Sequence, residues 1–334
     1  LPILIIPDYN NLGALVPSGE SAETGRANKR TVLALKARTA LYAASPLFNS
    51  HQEGSQGYKE LWYRAAKANK ELIETCEDAG MRLIDDYENL WDAKSYSIAI
   101  DELIFGCRAI RATNSFEKYN FPVGLENCRG GNCPTQTLVD AYELKDSGER
   151  PDKKADYDKN KPYYEGRDPR FEKTIAKNGD TKWPNWNETA LETYQGGANA
   201  EPLSGGTPTG YYLKKYCQTS INTTTAKPTT DNHTWIIYRL GEFYLNYAEA
   251  LFKYLGTAYA TNNEFPIPAN EMVSKTRRRT KVNMPKFPAG LDNKLWWEKY
   301  QNERMVELAF EGHRFWDVRR WKEGDKHFSS IDEM

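Results

Sequence analysis

The stretch from Asn302 to Trp321, NERMVELAFEGHRFWDVRRW, sets the tightest limits on what this chain can fold into. Read as a helix, it places Glu303, Glu307 and Glu311 on one stripe, each four residues from the next. Like charges at that spacing repel by roughly a few tenths of a kcal/mol per pair, so the stripe requires cations close by. Arg304, Arg314, Arg319 and Arg320 follow at once, and Met305, Val306, Leu308, Ala309 and Phe310 form a wide apolar arc on the rest of the helix. Such a segment wants a partner surface and an internal charge network. It can be read as a catalytic carboxylate cluster or as a buried ionic clamp between two helices. The clamp is favoured, because structural ion-pair networks perturb carboxylates much as active sites do.

The bulk of the sequence excludes several partner classes. The chain has 334 residues, enough for one large domain or two ordinary ones. Its 45 basic and 46 acidic residues leave a formal net charge of -1, which argues against nucleic acid or an anionic membrane as the main partner. The run Arg277-Arg278-Arg279 is too short to change this and is assigned to a solvated helix face. Mean hydropathy is -0.77 and no apolar run is long enough to span a membrane. The apolar start Leu1–Ile6 lacks the features of a signal peptide, so either an export signal has been removed or the protein is cytosolic. Aromatic residues nevertheless make up 13% of the chain, with 21 Tyr and 9 Trp, and many sit in polar, loop-like stretches suited to stacking on flat ligands. Of the five cysteines, Cys128 and Cys133 flank an Arg-Gly-Gly-Asn turn, where a small disulfide loop and free thiols are both open readings, each favoured over a metal site. Their spacing does not fit a zinc ribbon, and none of the four histidines sits in an HExxH or GxSxG setting, so no metal or cofactor site is expected.

Periodicity divides the chain into a helical beginning, an irregular middle and a helical end. Residues 1–26 read as extended or loop. A helix is expected from Ala27 to Ala44 and a second from Tyr58 to Ala79, the pair forming a helical hairpin whose alanines allow close approach. Residues 95–112 carry a shorter apolar run of strand or mixed character. Residues 113–234 are rich in Gly, Pro, Asn, Thr and Tyr with little helical period, a length of irregular chain that is usually functional or disordered; its aromatics favour order. Helical character returns at Trp235 and runs to Leu255, followed by helices over Ala269–Arg279, Leu291–Glu311 and His313–Trp321. The expected fold is mainly α, with tetratricopeptide-like (TPR-like) stacked helical hairpins over 27–112 and 235–325 in one domain, 1–334, carrying a large loop insert, 113–234.

An ordered set of motifs resembles the SusD/RagB family of outer-membrane nutrient-binding lipoproteins of Bacteroidetes. Gly25-Arg26-Ala27 with Ala34-Leu35-Lys36-Ala37-Arg38 to Leu41-Tyr42 resembles the family's GRAT…ALALKAR..LY helix. Arg167-Asp168-Pro169-Arg170-Phe171 is similar to its RDPR motif, and Gly210–Tyr216 to the strand before the next helix. Arg239-Leu240-Gly241-Glu242 to Asn246-Tyr247-Ala248-Glu249-Ala250 resembles RLAE..LNYAEA, and the segment from Glu303 to Trp321 matches ER..EL.FEG.R..D..RW. The resemblance implies a TPR-like scaffold with irregular loops and a non-enzymatic role in polysaccharide utilization and nutrient uptake. It implies carbohydrate binding (peptide binding in some branches) and a SusC-like TonB-dependent transporter as partner. The implied location is the outer face of the outer membrane, reached through a lipid anchor that this chain does not carry. Family members are longer at the amino terminus, where the lipidated Cys belongs, and continue beyond the RW motif.

Sugar rings offer an apolar C–H face and a hydroxyl rim, matched by aromatic faces flanked by Asn, Asp, Arg and Gln. Trp183, Asn185 and Trp186, with Tyr194 downstream, carry this mixture most densely; Tyr163, Tyr164 and Arg167 form a second group and Tyr119, Asn120 and Phe121 a third. Each aromatic could instead staple its loop to the scaffold, evenly weighed for the Trp pair and favoured for Tyr163 and Tyr164. The tryptophans on or beside helices, Trp62, Trp91, Trp296, Trp297, Trp316 and Trp321, are assigned to core packing. Two other functions compete. A helical glycoside hydrolase or lyase needs two carboxylates facing across a sugar, which the stripe 303-307-311 does not supply, since its arginines would keep it ionised. A TPR-type peptide-binding scaffold needs no aromatic insert.

Overall fold

The computed structural model describes residues 27–108, 111–152 and 165–328. The chain starts with α1 (Lys29–Ala44) and α2 (Gln56–Asp78). Both helices are started by side-chain caps: Asn28 accepts the Thr31 N–H and Ser55 accepts the Tyr58 N–H, satisfying amides that a helix end leaves open. Ala34, Ala37 and Leu41 of α1 and Ala65, Ala66, Leu72 and Ile73 of α2 are buried together. Asn69 sits inside this seam with its amide bonded to the Ala65 carbonyl at 2.8 Å.

After α3 (Tyr96–Ala99) the chain enters β1 (Leu103–Arg108), and the first described part of the middle region carries α4 (Ser115–Asn120) and α5 (Gln136–Ala141). The second part holds α6 (Arg170–Thr174), β2 (Ile175–Ala176) and β3 (Tyr212–Leu213), and ends in β4 (Thr234–Arg239). β4 pairs antiparallel with β1, from Leu103 opposite Arg239 to Arg108 opposite Thr234. The helix expected to begin at Trp235 is therefore a strand up to Arg239. The β-branched Thr234, Ile236 and Ile237 favour the extended form, and β1 supplies a partner that local sequence cannot show. The middle region has its own cores: Phe121, Val123, Ala176, Trp183, Leu191, Tyr212 and Cys217 form one, and Val139, Tyr142, Phe171, Ile175, Tyr211 and Val306 another.

α7 (Leu240–Leu255) is buried on every side from Leu240 to Phe252 and is the axis of the helical scaffold, packed against α1, α2 and α8 (Ala269–Arg277). It stops at Gly256, whose left-handed φ of 77° lets its N–H close on the Phe252 carbonyl. Then come α9 (Asn293–Glu307), α10 (His313–Arg320) and α11 (Gly324–Phe328). α9 ends four residues earlier than its apolar pattern predicts, because Phe310 and Gly312 take positive φ and turn the chain into α10. The fold is mainly α-helical, with stacked helical hairpins carrying an irregular middle region. Trp62, Trp91, Trp296 and Trp321 are core residues as expected, whereas Trp316 stands 53% exposed beside Phe315 on α10.

Candidate ligand-binding site

The acidic residues of the carboxy-terminal segment are wholly engaged. Glu303 takes Arg170 at 2.6 Å and Arg277 at 3.0 Å, together with the Thr276 hydroxyl. Glu307 takes Arg239 at 2.7 Å, Arg279 at 2.8 Å and Arg170 at 2.7 Å. Glu311, beyond the helix end, still reaches the same cluster through Arg239 at 2.8 Å and Lys215 at 2.7 Å. Glu102, Asp168 and Glu143 complete it against Arg239 and Arg279, Arg170, and Arg277 respectively. Burial alone would raise the Glu307 and Glu311 carboxyls. Arg279, Arg239 and Arg170 outweigh it and hold Glu307 far below the usual carboxylate range, while Arg239 and Lys215 hold Glu311 at about 2. A general acid at neutral pH needs the opposite shift, so these residues are a clamp.

The clamp is wider than the sequence indicates. It joins α9 to α8, to the β1–β4 pair and to the middle region through Arg170 and Lys215. Of the arginines expected to serve it, Arg304 and Arg320 belong to a second network, while Arg314 meets His327 and Arg319 donates to the Phe315 carbonyl. Arg304 and Arg320 bond Asp317, and Arg320 also holds Glu249 of α7, which accepts from Tyr300 and Trp321. The run 277–279 does not lie on a solvated face: Arg277 and Arg279 are buried and only Arg278 is exposed. α8 ends at Arg277, so the three residues do not share a helical surface; Arg278 pairs with Glu271 nearby, whereas the carboxylate partners of Arg277 and Arg279 lie 26 or more residues away.

The aromatic candidates separate by burial. Trp183 is 6% exposed, with its ring 5.3 Å from that of Phe121 in a T-shaped contact. Trp186 is half-buried and donates its indole N–H to the Ile221 carbonyl at 2.7 Å. Trp183 is thus part of a loop core, with Trp186 packed partly against it, since the middle region must bury apolar surface of its own to stay ordered. Asn185 and Tyr194 are exposed. Arg167 is buried, its guanidinium donating to the Val139 and Tyr142 carbonyls. Tyr163 and Tyr164 lie outside the described residues.

The third group supplies the geometry that the first lacks. α4 is anchored from below: Phe116 meets Trp235 at 4.9 Å, and Glu117 is buried, accepting from the Gln218 N–H and pairing with His233 at 2.9 Å. Asn120 is buried and accepts from the Asn132 amide. These contacts leave Tyr119 pointing outward, 53% exposed. Its ring lies against Gly131, where an added Cβ would come within 2.2 Å of Cε1, and its carbonyl accepts the Gly131 N–H at 2.7 Å. The ring is therefore seated on Gly131, where an added Cβ would require it to move. It borders an open cleft of about 580 Å³ lined also by Ser115, Lys118, Asn127, Cys128 and Arg129. Trp183 and Trp186 pack in the same core as Phe121, Leu125, Cys128 and Cys133, so two of the sequence candidates meet, one as surface and one as support. Cys128 and Cys133 are free thiols. Burial pushes the Cys128 thiol up to about 11, which leaves it neutral and poorly reactive. Among the described residues no group of three or more His, Cys, Asp or Glu could hold a metal ion, and no helix is long and apolar enough to cross a membrane.

The sequence profile of the SusD family matches residues 102–333. No curated protein matches the chain. Among solved structures, a SusD-like carbohydrate binding protein from Bacteroides fragilis NCTC 9343 aligns with a TM-score of 0.74 at 24% identity, over 97% of this chain and 56% of that one. A second SusD-like protein from the same strain aligns with a TM-score of 0.71 at 26% identity, over 97% of this chain and 58% of that one. A laminarin binding SusD-like protein aligns with a TM-score of 0.58 at 21% identity, over 93% and 58%. The chain thus spans 56–58% of the length of these three structures.

Proposed function

The chain belongs to the SusD family, and from that premise we propose that it is a non-catalytic carbohydrate-binding protein of the bacterial cell surface. In this reading it is lipid-anchored at the outer membrane through a segment outside this chain, and it passes captured oligosaccharides to a SusC-like TonB-dependent transporter. Support comes from the two structural relatives named for carbohydrate and laminarin binding. The observation that carries it is the Tyr119 cleft. A fixed, half-exposed aromatic ring meets the C–H face of a sugar at little entropic cost, and Asn127, Ser115 and Arg129 beside it match the hydroxyl rim. Asn185, Tyr194 and the open edge of Trp186 extend the proposed ligand surface over the next loop. The buried Trp183, Arg167 and the clamp hold that surface in shape.

Isothermal titration of the purified chain against a panel of oligosaccharides tests the reading. Saturable binding without product release is expected, weakened about tenfold or more in Tyr119→Ala, in line with the ~1–3 kcal/mol that a stacking aromatic contributes. Gly131→Ala, which drives the ring off its seat, should weaken binding less. Product release from any polysaccharide, or no binding to any sugar, would overturn the proposal.

A further inference from the structure

The cleft beside Tyr119 gathers two cations around one aromatic ring. Lys118 and Arg129 line the same opening, and neither side chain bonds a carboxylate among the described residues. The two acidic residues nearest in sequence are turned elsewhere. Glu117 is buried against His233 and the Gln218 N–H, and Glu126 accepts the Thr225 N–H at 2.8 Å. The loop that presents Arg129 is itself fixed. Asn127 donates to the Thr223 carbonyl and the Thr225 hydroxyl, Gly130 N–H closes on the Phe121 carbonyl, and Asn132 bonds Asn120. In a chain whose formal net charge is -1, two unpaired cations held around a fixed aromatic ring make a local anion receptor. Guanidinium and ammonium groups recognise carboxylate and sulfate oxygens by short, charge-assisted hydrogen bonds.

We propose that the Tyr119 cleft selects an anionic sugar, with the ring face on Tyr119 and a carboxylate or sulfate between Lys118 and Arg129. The inference rests on the glycan-binding reading and narrows its substrate class from sugars in general to uronic-acid or sulfated ones. Lys118 follows Glu117 directly, so the packing that fixes Glu117 inside also sets where the Lys118 side chain leaves α4. The Asn127 side-chain carbonyl oxygen and the Ser115 hydroxyl face the hydroxyls that distinguish one acidic sugar from another.

The test uses three probes on the whole chain: a galacturonic acid tetrasaccharide, a chondroitin sulfate tetrasaccharide and a neutral β-glucan tetrasaccharide. At least one acidic probe should bind more tightly than the neutral one, and raising NaCl from about 50 to about 500 mM should weaken it several-fold as screening shortens the reach of the charges. Lys118→Gln with Arg129→Gln should weaken acidic binding about tenfold or more and abolish the preference over the neutral probe. The charge-keeping pair Lys118→Arg with Arg129→Lys should restore most of it, which separates charge from loop folding. The two acidic probes distinguish a carboxylate from a sulfate ligand. Binding of the neutral probe as tightly as the acidic ones, or an unchanged acidic affinity in the double Gln variant, overturns the anionic assignment and leaves the glycan reading standing. Failure of all three probes and of the wider panel overturns both.

Discussion

Around Glu303, Glu307 and Glu311 the cations Arg170, Arg239, Arg277, Arg279 and Lys215 each meet carboxylates inside the protein, whereas in the Tyr119 cleft Lys118 and Arg129 meet none among the described residues. The same residue types therefore do opposite work. In the clamp they are neutralised, dehydrated and fixed, and they set how the middle region sits on the helices. At the cleft they are hydrated and unpaired, so their attraction is left for something that arrives from outside. An arginine-rich motif is consequently no guide to ligand binding until its partners are located. Buried ion pairs of this kind add little net stability against apolar residues of equal size, but they penalise every arrangement that leaves one charge alone.

That asymmetry is open to direct attack, beginning with the clamp. Glu307→Ala removes the carboxylate shared by three arginines and should cost roughly 3–5 kcal/mol, or prevent folding, as read by urea unfolding followed by circular dichroism. A loss below about 1 kcal/mol would show that the arginines find water instead and that the cluster is not a clamp. Trp183→Ala comes next, at about 3 kcal/mol, because it empties a well-packed site beside Phe121; a tryptophan serving only the ligand would leave the unfolding midpoint unmoved. Acid should produce a graded effect. His313 is pushed down to about 4 by burial, despite Glu242, so the unfolded state binds the extra proton between its ordinary value near 6.5 and 4, and stability falls as pH drops through that window. Glu311, held at about 2 against an ordinary 4.5, contributes stability that is present above 4.5 and lost as pH falls toward 2. The melting temperature should therefore decline from about pH 6.5 downward and more steeply below about 4.5. A flat profile down to pH 3 would contradict both assignments.

The scaffold was legible in the sequence to the degree that its signals are local. Helical periods and caps located α1, α2, α7 and α8, and the motif set pointed to the family that the profile match then established. What was not legible depends on distant partners. Arg170 was visible as part of a motif beside Asp168, but its other two carboxylates lie 133 and 137 residues away. The run 277–279 looked solvated because Glu102, Glu143, Glu303 and Glu307 are nowhere near it along the chain. β4 was hidden because its apolar residues run without a break into α7, although Thr234, Ile236 and Ile237 were a strand signal that could have been weighed. For the ligand surface, composition drew attention to tryptophan first and to Tyr119 only third. Exposure ordered them otherwise, and the deciding residue was Gly131, whose missing side chain seats the Tyr119 ring.

The strand pair at the base of the middle region has a practical consequence. Thr113 and Asp231 exchange backbone hydrogen bonds in both directions, so a stretch of more than a hundred residues leaves and rejoins the helical body at adjacent points. Chain ends held that close make the stretch a natural unit for transplantation between relatives, because a recipient strand pair needs no new span to accept it. The one condition is ionic: a graft that omits Arg170 and Lys215 would take one cation from each of Glu303, Glu307 and Glu311 and leave Arg277, Arg239 and Arg279 to balance them alone.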